Sequence, residues 1–191
     1  MLSVEEALER VLVGFSNLSP ETVSLHDALG RVLAKDITAR LTQPPTDVSA
    51  MDGYAVRSED IQKVPVDLTV QGEAPAGGSF DNTLKTGEAV RIFTGGPAPK
   101  GADCIVIQEN TTREGDQVTV NQSETVGRYI RPAGLDFKEG QIGLEKGTVL
   151  TARDLALAAA MNYAWLEVYR KPRVAILATG NEIVLPGETP G

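Results

Sequence analysis

Near the start of the chain, apolar residues recur every three or four positions, which is the spacing of one face of an α-helix. The stripe consists of Val4, Ala7, Leu8, Val11, Leu12 and Phe15. The segment Ser3-Val4-Glu5-Glu6 is a capping box, in which the serine and the second glutamate satisfy the first free N–H groups of a helix. The pattern therefore predicts an amphipathic helix over residues 3–15.

A second short helix and an extended segment are predicted next. Residues 24–29 fit a short helix that Gly30 ends, and residues 31–39 fit an extended chain. Gln43-Pro44-Pro45 interrupts regular structure. We therefore expect a structural boundary near residue 45.

From about residue 46 to 140, short β-rich runs alternate with clusters of Gly, Pro, Asn and Asp. The runs are residues 66–70, 89–93, 104–108 and 117–120. Strands of this length and spacing are typical of a small all-β barrel or sandwich.

The last part of the chain predicts another helix and two strands. Thr151 and Asp154 form a capping box ahead of residues 155–161, which are apolar almost all round, so we expect this helix to be buried in a core or a subunit interface. Residues 165–169 alternate as in a strand, and residues 174–180 are typical of a buried strand that opens a βα unit. Because a lone parallel strand has no sheet to join, we expect a fragment of a longer protein.

Charge excludes some functions. The 191 residues include 26 acidic and 18 basic side chains, with a net charge of −8. This balance argues against a duplex nucleic-acid binder, which needs a basic face, but it suits a divalent cation held by oxygen ligands. No apolar run reaches the length of a membrane span, and the acidic N-terminus is unlike a targeting peptide. We expect a cytoplasmic protein that contacts neither nucleic acid nor membrane.

The chain has a single cysteine and a single histidine. Cys104 lies in an apolar, strand-like run, so we expect a buried structural thiol rather than a nucleophile. His26 is expected on the exposed face of the second short helix. With no second histidine or cysteine beside either residue, the sequence disfavours a zinc site.

Three short blocks combine glycine or proline with an acid or a hydroxyl, residue types that let a loop approach a ligand closely. They are residues 49–57, 91–103 and 131–140. Asp52-Gly53 alone fits a plain hairpin turn. Ser49, Met51 and Tyr54 crowd this aspartate with groups that a surface turn does not need, so a functional role for Asp52 is the alternative.

The other two blocks also permit two interpretations. Thr94-Gly95-Gly96-Pro97 is either a rigid turn or an anion cradle, in which the glycine N–H groups and the Thr94 hydroxyl donate. Arg131 and Asp136 are compatible with a plain exposed ion pair. Alternatively, the Arg131 guanidinium binds a phosphate, and Asp136 beside it holds a metal or polarises water.

Together with Ala178-Thr179-Gly180-Asn181-Glu182-Ile183, the three blocks resemble the molybdopterin molybdenumtransferase family, which includes bacterial MoeA and the E domain of gephyrin. The resemblance covers nearly the whole chain. It implies a mixed α+β fold with a split helix-and-strand dimerisation domain (residues 1–45 and 141–171) and an inserted β-barrel-like domain (residues 46–140). Residues 172–191 would begin a truncated Rossmann-like, molybdopterin-binding α/β domain, on which the helix of residues 3–15 would pack.

The resemblance also implies a reaction. Family members insert molybdate into adenylated molybdopterin and release AMP, with Mg²⁺ required. At the matching positions, Asp52, Asp136 and Glu182 would be catalytic, and Asp52 and Asp136 would bind the metal. Substrate would contact Ser49, Thr94, Gly95, Gly96, Arg131, Thr179 and Gly180. Asn181 stands where the family commonly has Asp or Ser, so only Glu182 is carried over from that pair.

The implied partners are a second copy of the chain and the adenylyltransferase that supplies the substrate. Two alternatives remain open. Gephyrin-like proteins also use this scaffold to anchor receptor segments without turnover, and the apolar stripe of the first helix would suit such a partner. The 191-residue chain by itself is expected to be inactive, because most of the pterin-binding domain is missing.

Overall fold

A computed structural model describes residues 2–180 and 183–189. The chain divides into two compact units, one made of residues 1–37 and 144–191 and the other of residues 38–143. The described residues form the helices α1 (Val4–Leu12) and α2 (Ala152–Ala160) and the strands β1 (Pro20–Ser24), β2 (Ile37–Thr38), β3 (Val48–Ser49), β4 (Gly53–Val56), β5 (Val66–Ala74), β6 (Glu88–Ile92), β7 (Cys104–Ile107), β8 (Thr111–Glu114), β9 (Gln117–Val120), β10 (Ile130–Arg131), β11 (Ile142–Leu144) and β12 (Trp165–Tyr169). The fold class is thus mostly β with two α-helices. None of the described helices is long and apolar enough to cross a membrane.

The first unit is built on the antiparallel pair β1–β12, whose register runs from Pro20 opposite Tyr169 to Ser24 opposite Trp165. Leu166 and Val168 alternate inward from β12 and are buried. The strand predicted over residues 165–169 is confirmed at both ends.

The helix predicted at the start of the chain is confirmed as α1, and Ser3 and Glu6 form both bonds of the capping box. Its apolar stripe is uncovered: no α1 residue is buried, and the side chain of Val4 is 79% exposed. The second predicted helix is a single 3₁₀ turn over Leu25–Asp27, with His26 exposed as expected.

Helix α2 begins at its predicted capping box, since Thr151 and Asp154 bond to each other's backbone N–H. Of the two expected environments of α2, a core within this chain is not observed, because Ala158 is its one buried residue; a subunit interface stays a prediction. Five of the nine helix residues are alanines, which bring little apolar area to a core. The helix is anchored by two buried residues, Ala158 and the C-cap residue Met161.

The buried strand predicted over residues 174–180 is not formed. Those residues have no regular secondary structure, and Ile176 and Leu177 are strongly exposed. A strand needs the backbone groups of a neighbour, and no described strand pairs with this segment.

The second unit contains a six-stranded sheet in the order β7-β4-β6-β5-β9-β8. Strands β5 and β6 are parallel, and the other neighbours are antiparallel. The four predicted β-rich runs are confirmed as β5, β6, β7 and β9, while β4 and β8 were missed. Pairings among the described strands leave β7 and β8 as the sheet's two ends and do not close a barrel.

Buried apolar side chains form one cluster on each face of this sheet. Tyr54 and Val56 of β4 belong to one core cluster, and Ala55 between them belongs to the other. Cys104 lies in the first cluster and is fully buried; burial raises the pKa of its thiol to about 12, helped by the nearby charge of Asp103. The prediction of a buried structural thiol is confirmed.

Candidate functional site

The predicted site residues of the second unit lie around the short strand β3. Ser49 donates its N–H to the Gly96 carbonyl and accepts the Gly95 N–H, both at 2.8 Å. On its other side β3 pairs with β10, which places Val48 opposite Arg131. The three sequence blocks therefore meet at one place.

Asp52 is fixed by Thr94. Its Oδ1 accepts the Thr94 backbone N–H and the Thr94 hydroxyl, each at 2.8 Å. Among the described residues, none donates to Oδ2. Asp52 is exposed, so this second oxygen is open to a cation or a water molecule.

These contacts act on the charge of Asp52. The backbone N–H of Thr94, followed by its hydroxyl, lowers the pKa of Asp52 below the ordinary 3.8. The positive charge of Arg91 lowers this pKa further, and desolvation opposes the shift. Hydrogen bonds to a carboxylate stabilise its ionised form. Asp52 is therefore an anion at neutral pH, suited to metal binding or to orienting water rather than to donating a proton.

Gly53 lets the chain pass between two strands directly after Asp52. A Cβ atom at this position would lie 2.0 Å from the Val106 carbonyl oxygen of the neighbouring strand. Real Cβ atoms do not approach a backbone oxygen so closely, so only glycine fits here. The Asp52-Gly53 pair is thus more than a hairpin turn, since Gly53 is the first residue of β4, which lies between β7 and β6 in the sheet.

The anion cradle predicted at Gly95-Gly96 is not present. The Gly95 N–H bonds to the Ser49 carbonyl, and the Gly96 N–H bonds to the Phe93 carbonyl at 2.7 Å. Both donors are therefore used inside the protein, as are the N–H and hydroxyl of Thr94. The anion that this loop holds is the carboxylate of Asp52.

Ser49 also differs from the expectation of a substrate contact. Only 1% of it is exposed, and its hydroxyl donates to the Met51 carbonyl at 2.6 Å. The same oxygen accepts the Met51 N–H at 3.2 Å. Ser49 closes the turn that carries Asp52, and this buried hydroxyl is not available to a ligand.

Arg131 and Asp136 form the exposed ion pair that was one of the two predicted interpretations. One terminal nitrogen of Arg131 lies 3.1 Å from each carboxylate oxygen of Asp136. Both side chains are more than 40% exposed, so the pair contributes little to stability and opens at little cost. The loop between them is fixed by the Gly134 N–H, which donates to the Pro44 carbonyl at 2.9 Å.

Asp47 was not singled out in the sequence, although it ties two of the blocks together. Its Oδ1 accepts the Ala133 N–H at 2.8 Å, and its carbonyl accepts the Ala98 N–H at 2.9 Å. It lines a surface cavity of about 480 Å³ together with Asp103 and Ile130. The only sequence signal was an acid two positions before Ser49.

Arg91 was also missed as a site residue, although it opens one of the quoted blocks. Its guanidinium donates to the Gly53 carbonyl at 3.0 Å and to Oε1 of Gln108 at 2.9 Å. The guanidinium carbon lies 4.7 Å from the centre of the Phe93 ring and 5.3 Å from that of Tyr54. A guanidinium between two aromatic rings is an ordinary cation–π arrangement.

The remaining predicted residues belong to the first unit. Thr179 and Gly180 lie in its exposed, unpaired segment, and Glu182 lies outside the described residues. Within the described ranges, no group of three or more His, Cys, Asp or Glu side chains could enclose a metal ion. A metal at Asp52 or Asp136 would therefore need ligands from elsewhere.

Comparison with known proteins gives a consistent result. Residues 2–162 match the family model described as the MoeA N-terminal region, domains I and II. The chain is 41% identical over 173 residues to the molybdopterin molybdenumtransferase of Nostoc sp. (88% of this chain, 40% of that protein). It is also 41% identical over 191 residues to molybdopterin molybdenumtransferase 2 of Mycobacterium tuberculosis (98% of this chain, 47% of that protein).

A solved structure is similar as well. The molybdopterin biosynthesis MoeA protein of Pyrococcus horikoshii OT3 superposes with a TM-score of 0.85 at 38% identity, over 90% of this chain and 47% of that one. The chain thus spans less than half the length of each of these relatives.

Proposed function

The chain belongs to the MoeA N-terminal-region family, and on that basis we propose that it forms the N-terminal part of a molybdopterin molybdenumtransferase. The complete enzyme would insert molybdate into adenylated molybdopterin and release AMP, in a Mg²⁺-dependent step of molybdenum cofactor biosynthesis. The 41% identity to proteins named for this transfer supports the proposal. The chain by itself would be inactive.

The observation that carries the proposal is the Asp52–Thr94 pair. It presents an ionised, exposed carboxylate with one oxygen fixed by two hydrogen bonds and the other open. Release of AMP requires hydrolysis at a phosphate group, which needs an oriented water and neutralised phosphate oxygens. Asp52 would orient that water or share a cation with the phosphate.

The donor chemistry at this place fits Mg²⁺. This ion prefers oxygen ligands and is usually bound through one or two carboxylates together with substrate phosphates. Asp52 would supply one such oxygen, and Asp136 would supply another when Arg131 releases it. Bound Mg²⁺ would withdraw charge from the phosphate oxygens.

Arg131 would then contact an oxyanion of the substrate. Its pairing with Asp136 is exposed, so exchanging that carboxylate for a phosphate costs little. The planar fork of a guanidinium suits a phosphate as well as it suits a carboxylate. Thr94 would act through Asp52, because both of its donors are already bound to that residue.

The remaining parts of the proposal concern assembly. The domains would be those given by the resemblance, with residues 1–45 and 141–171 as a dimerisation domain, residues 46–140 inserted, and the α/β domain beginning at residue 172. In a homodimer, Thr179, Gly180 and Glu182 would complete a site on the facing subunit. The enzyme would act in the cytoplasm and receive its substrate from the adenylyltransferase.

A non-catalytic anchoring module is the second candidate. The observation that favours it is the uncovered stripe of α1, where Val4, Leu8 and Val11 are all more than half exposed. A binding stripe on α1 would not depend on Asp52, so the two candidates make different predictions for this residue.

A genetic experiment separates them. The chain replaces the matched N-terminal part of the Nostoc relative, and the chimaera is introduced into bacteria that lack their own molybdenumtransferase. We expect the chimaera to restore the activity of a molybdenum-dependent enzyme and Asp52→Ala to abolish it. Asp67→Ala is the matched control, because the Oδ1 of Asp67 also accepts a threonine hydroxyl, from Thr119 at 2.6 Å, on the same sheet.

Full function of the Asp52→Ala chimaera would contradict the catalytic proposal and favour the anchoring module. Loss of function in Asp67→Ala as well would show that the assay reports folding rather than chemistry.

A further inference from the structure

Arg91 is a partly buried cation with four close partners, two hydrogen-bond acceptors and two aromatic rings. Two of its nitrogens donate hydrogen bonds, at 3.0 Å to the Gly53 carbonyl and at 2.9 Å to the Gln108 side chain. The rings of Phe93 and Tyr54 flank the guanidinium. No carboxylate of the described residues lies within 4.0 Å of its nitrogens, so Arg91 forms no direct ion pair among them, although its charge acts on Asp52 from further away.

The contacts of Arg91 form a closed circuit around the backbone of Asp52. Gln108, which accepts from Arg91, donates its own backbone N–H to the Asp52 carbonyl at 3.1 Å. Arg91 in turn binds the next carbonyl, that of Gly53. The carbonyl group of Asp52 is therefore bound by Gln108, and that of Gly53 is bound by Arg91.

This circuit joins three neighbouring strands of the sheet at the ends where the site lies. Arg91 is on β6, Gly53 begins β4, and Gln108 follows directly after β7. Strand β4 lies between the other two, so the Arg91 side chain reaches across it. The carboxylate of Asp52 is held separately, by Thr94 beyond the end of β6.

We propose that Arg91 is a positioning residue for Asp52, which fixes the Asp52-Gly53 backbone so that the carboxylate keeps one oxygen on Thr94 and turns the other outward. The functional part of this inference rests on the role proposed above for Asp52. The structural part stands without it, because it concerns only the geometry of the circuit.

Arginine suits this role better than lysine. Its planar fork places two donors at a fixed separation, and it stacks on aromatic faces. A lysine ammonium at the same position would reach one of the two acceptors at a time. We therefore expect Arg91→Lys to behave like Arg91→Met and not to restore the wild-type geometry.

The test follows the hydrogen bond from the Thr94 N–H to the Asp52 carboxylate, because this bond reports directly on the position of the carboxylate. Amide hydrogen exchange and the amide proton chemical shift are recorded by NMR for the 191-residue chain and for its Arg91→Met and Arg91→Lys variants. We expect exchange at Thr94 to become about tenfold faster in both, as for the loss of one hydrogen bond to a charged group. Its chemical shift should move upfield.

Two further variants keep the test interpretable. Arg113→Met is the matched control, because Arg113 is an exposed arginine of the same sheet that donates to the carbonyl of Gly115. It should leave Thr94 unchanged. Gln108→Ala removes only the exposed acceptor of the circuit, keeps the backbone bond to Asp52, and should shift Thr94 in the same direction by less. This second variant decides the matter if Arg91→Met does not fold.

An unchanged Thr94 amide in Arg91→Lys and Gln108→Ala would overturn the inference, as would equal acceleration of exchange throughout the sheet. In the chimaera we expect Arg91→Lys to lower kcat about tenfold while KM stays within a factor of two, because the residue acts through Asp52. If Thr94 responds but Asp52→Ala keeps full activity, the proposed function fails and the positioning of Asp52 stands.

Discussion

Replacing Gly53 with alanine tests the close approach of β4 to β7 directly after Asp52. The new Cβ would lie 2.0 Å from the Val106 carbonyl oxygen, 2.9 Å from its carbonyl carbon and 3.0 Å from the Ile107 Cα. All three atoms belong to the backbone of β7, so no side-chain rotation relieves the contact. A carbon and an oxygen in weak contact sit about 3.3 Å apart, so the strands must separate by more than about 1 Å.

The expected cost follows from this separation. Overpacking in a well-packed interior costs about 1–3 kcal/mol, and each ladder hydrogen bond lost between β4 and β7 adds about 1 kcal/mol. We therefore expect Gly53→Ala to lower the free energy of unfolding by about 3 kcal/mol. For a urea m-value near 1.5 kcal/mol/M, the midpoint falls by about 2 M.

Gly115→Ala is the matched control in urea unfolding followed by circular dichroism. Gly115 has a φ of +60°, but nothing lies within 4 Å of a Cβ placed there. It should cost about 1 kcal/mol, from backbone strain alone. Equal midpoints for the Gly53→Ala and Gly115→Ala variants would refute the reasoning, because the steric contact would then contribute nothing.

Three further predictions concern single side chains. Thr94→Val removes one of the two donors to Asp52, so the pKa of Asp52, followed by carboxyl NMR, should rise toward 3.8. The native pKa of Asp52 is lowered, so its stabilising contribution is complete well above pH 3.8. That contribution is lost only as the pH falls below 3.8 and through the native pKa. A loss of stability from Asp52 that starts near pH 6 would contradict this. Leu8→Ala should change the free energy of unfolding by less than about 0.5 kcal/mol, since Leu8 is more than half exposed, whereas Leu166→Ala should cost about 2–5 kcal/mol. Cys104, with a thiol pKa of about 12, should not react with an aromatic disulfide reagent at neutral pH until urea unfolds the chain.

Periodic segments were predictable because their local pattern and their packing agree. The capping boxes at Ser3 and Thr151 fix where two helices begin, and alternation fixed β12 at its observed ends. Strand β4 escaped prediction because all four of its residues are buried, on both faces of the sheet. Such a strand carries no alternation of apolar and polar residues.

For the site residues of the second unit, the sequence indicated which segments carry them but not what each group bonds to. The three glycine-containing blocks were singled out by their composition together with the family resemblance, and they meet around Ser49. It could not indicate which partners the backbone donors find, so the N–H groups of Gly95 and Gly96 were assigned to a ligand although the protein itself uses them. Arg91 was missed for the same reason, since its contacts join strands that are distant in the sequence.

A core position for α2 within the chain, one of its two predicted environments, is not observed, because alanine counts as apolar in a pattern while contributing little area to a core. Only Ala158 of this helix is buried in the chain. Residues 174–180 were mispredicted for a different reason. Their composition suits a strand, but strand formation depends on a neighbour that the described residues do not provide.

The most direct test of the central claim is molybdate-dependent AMP release from adenylated molybdopterin in the presence of Mg²⁺, measured for the purified chimaera and its Asp52→Asn variant. Asparagine keeps the size of the side chain and removes its charge. We expect kcat to fall by at least about 100-fold, the usual scale for a positioned acid–base or charge-stabilising group. A variant that retains at least half of the wild-type kcat would contradict the account.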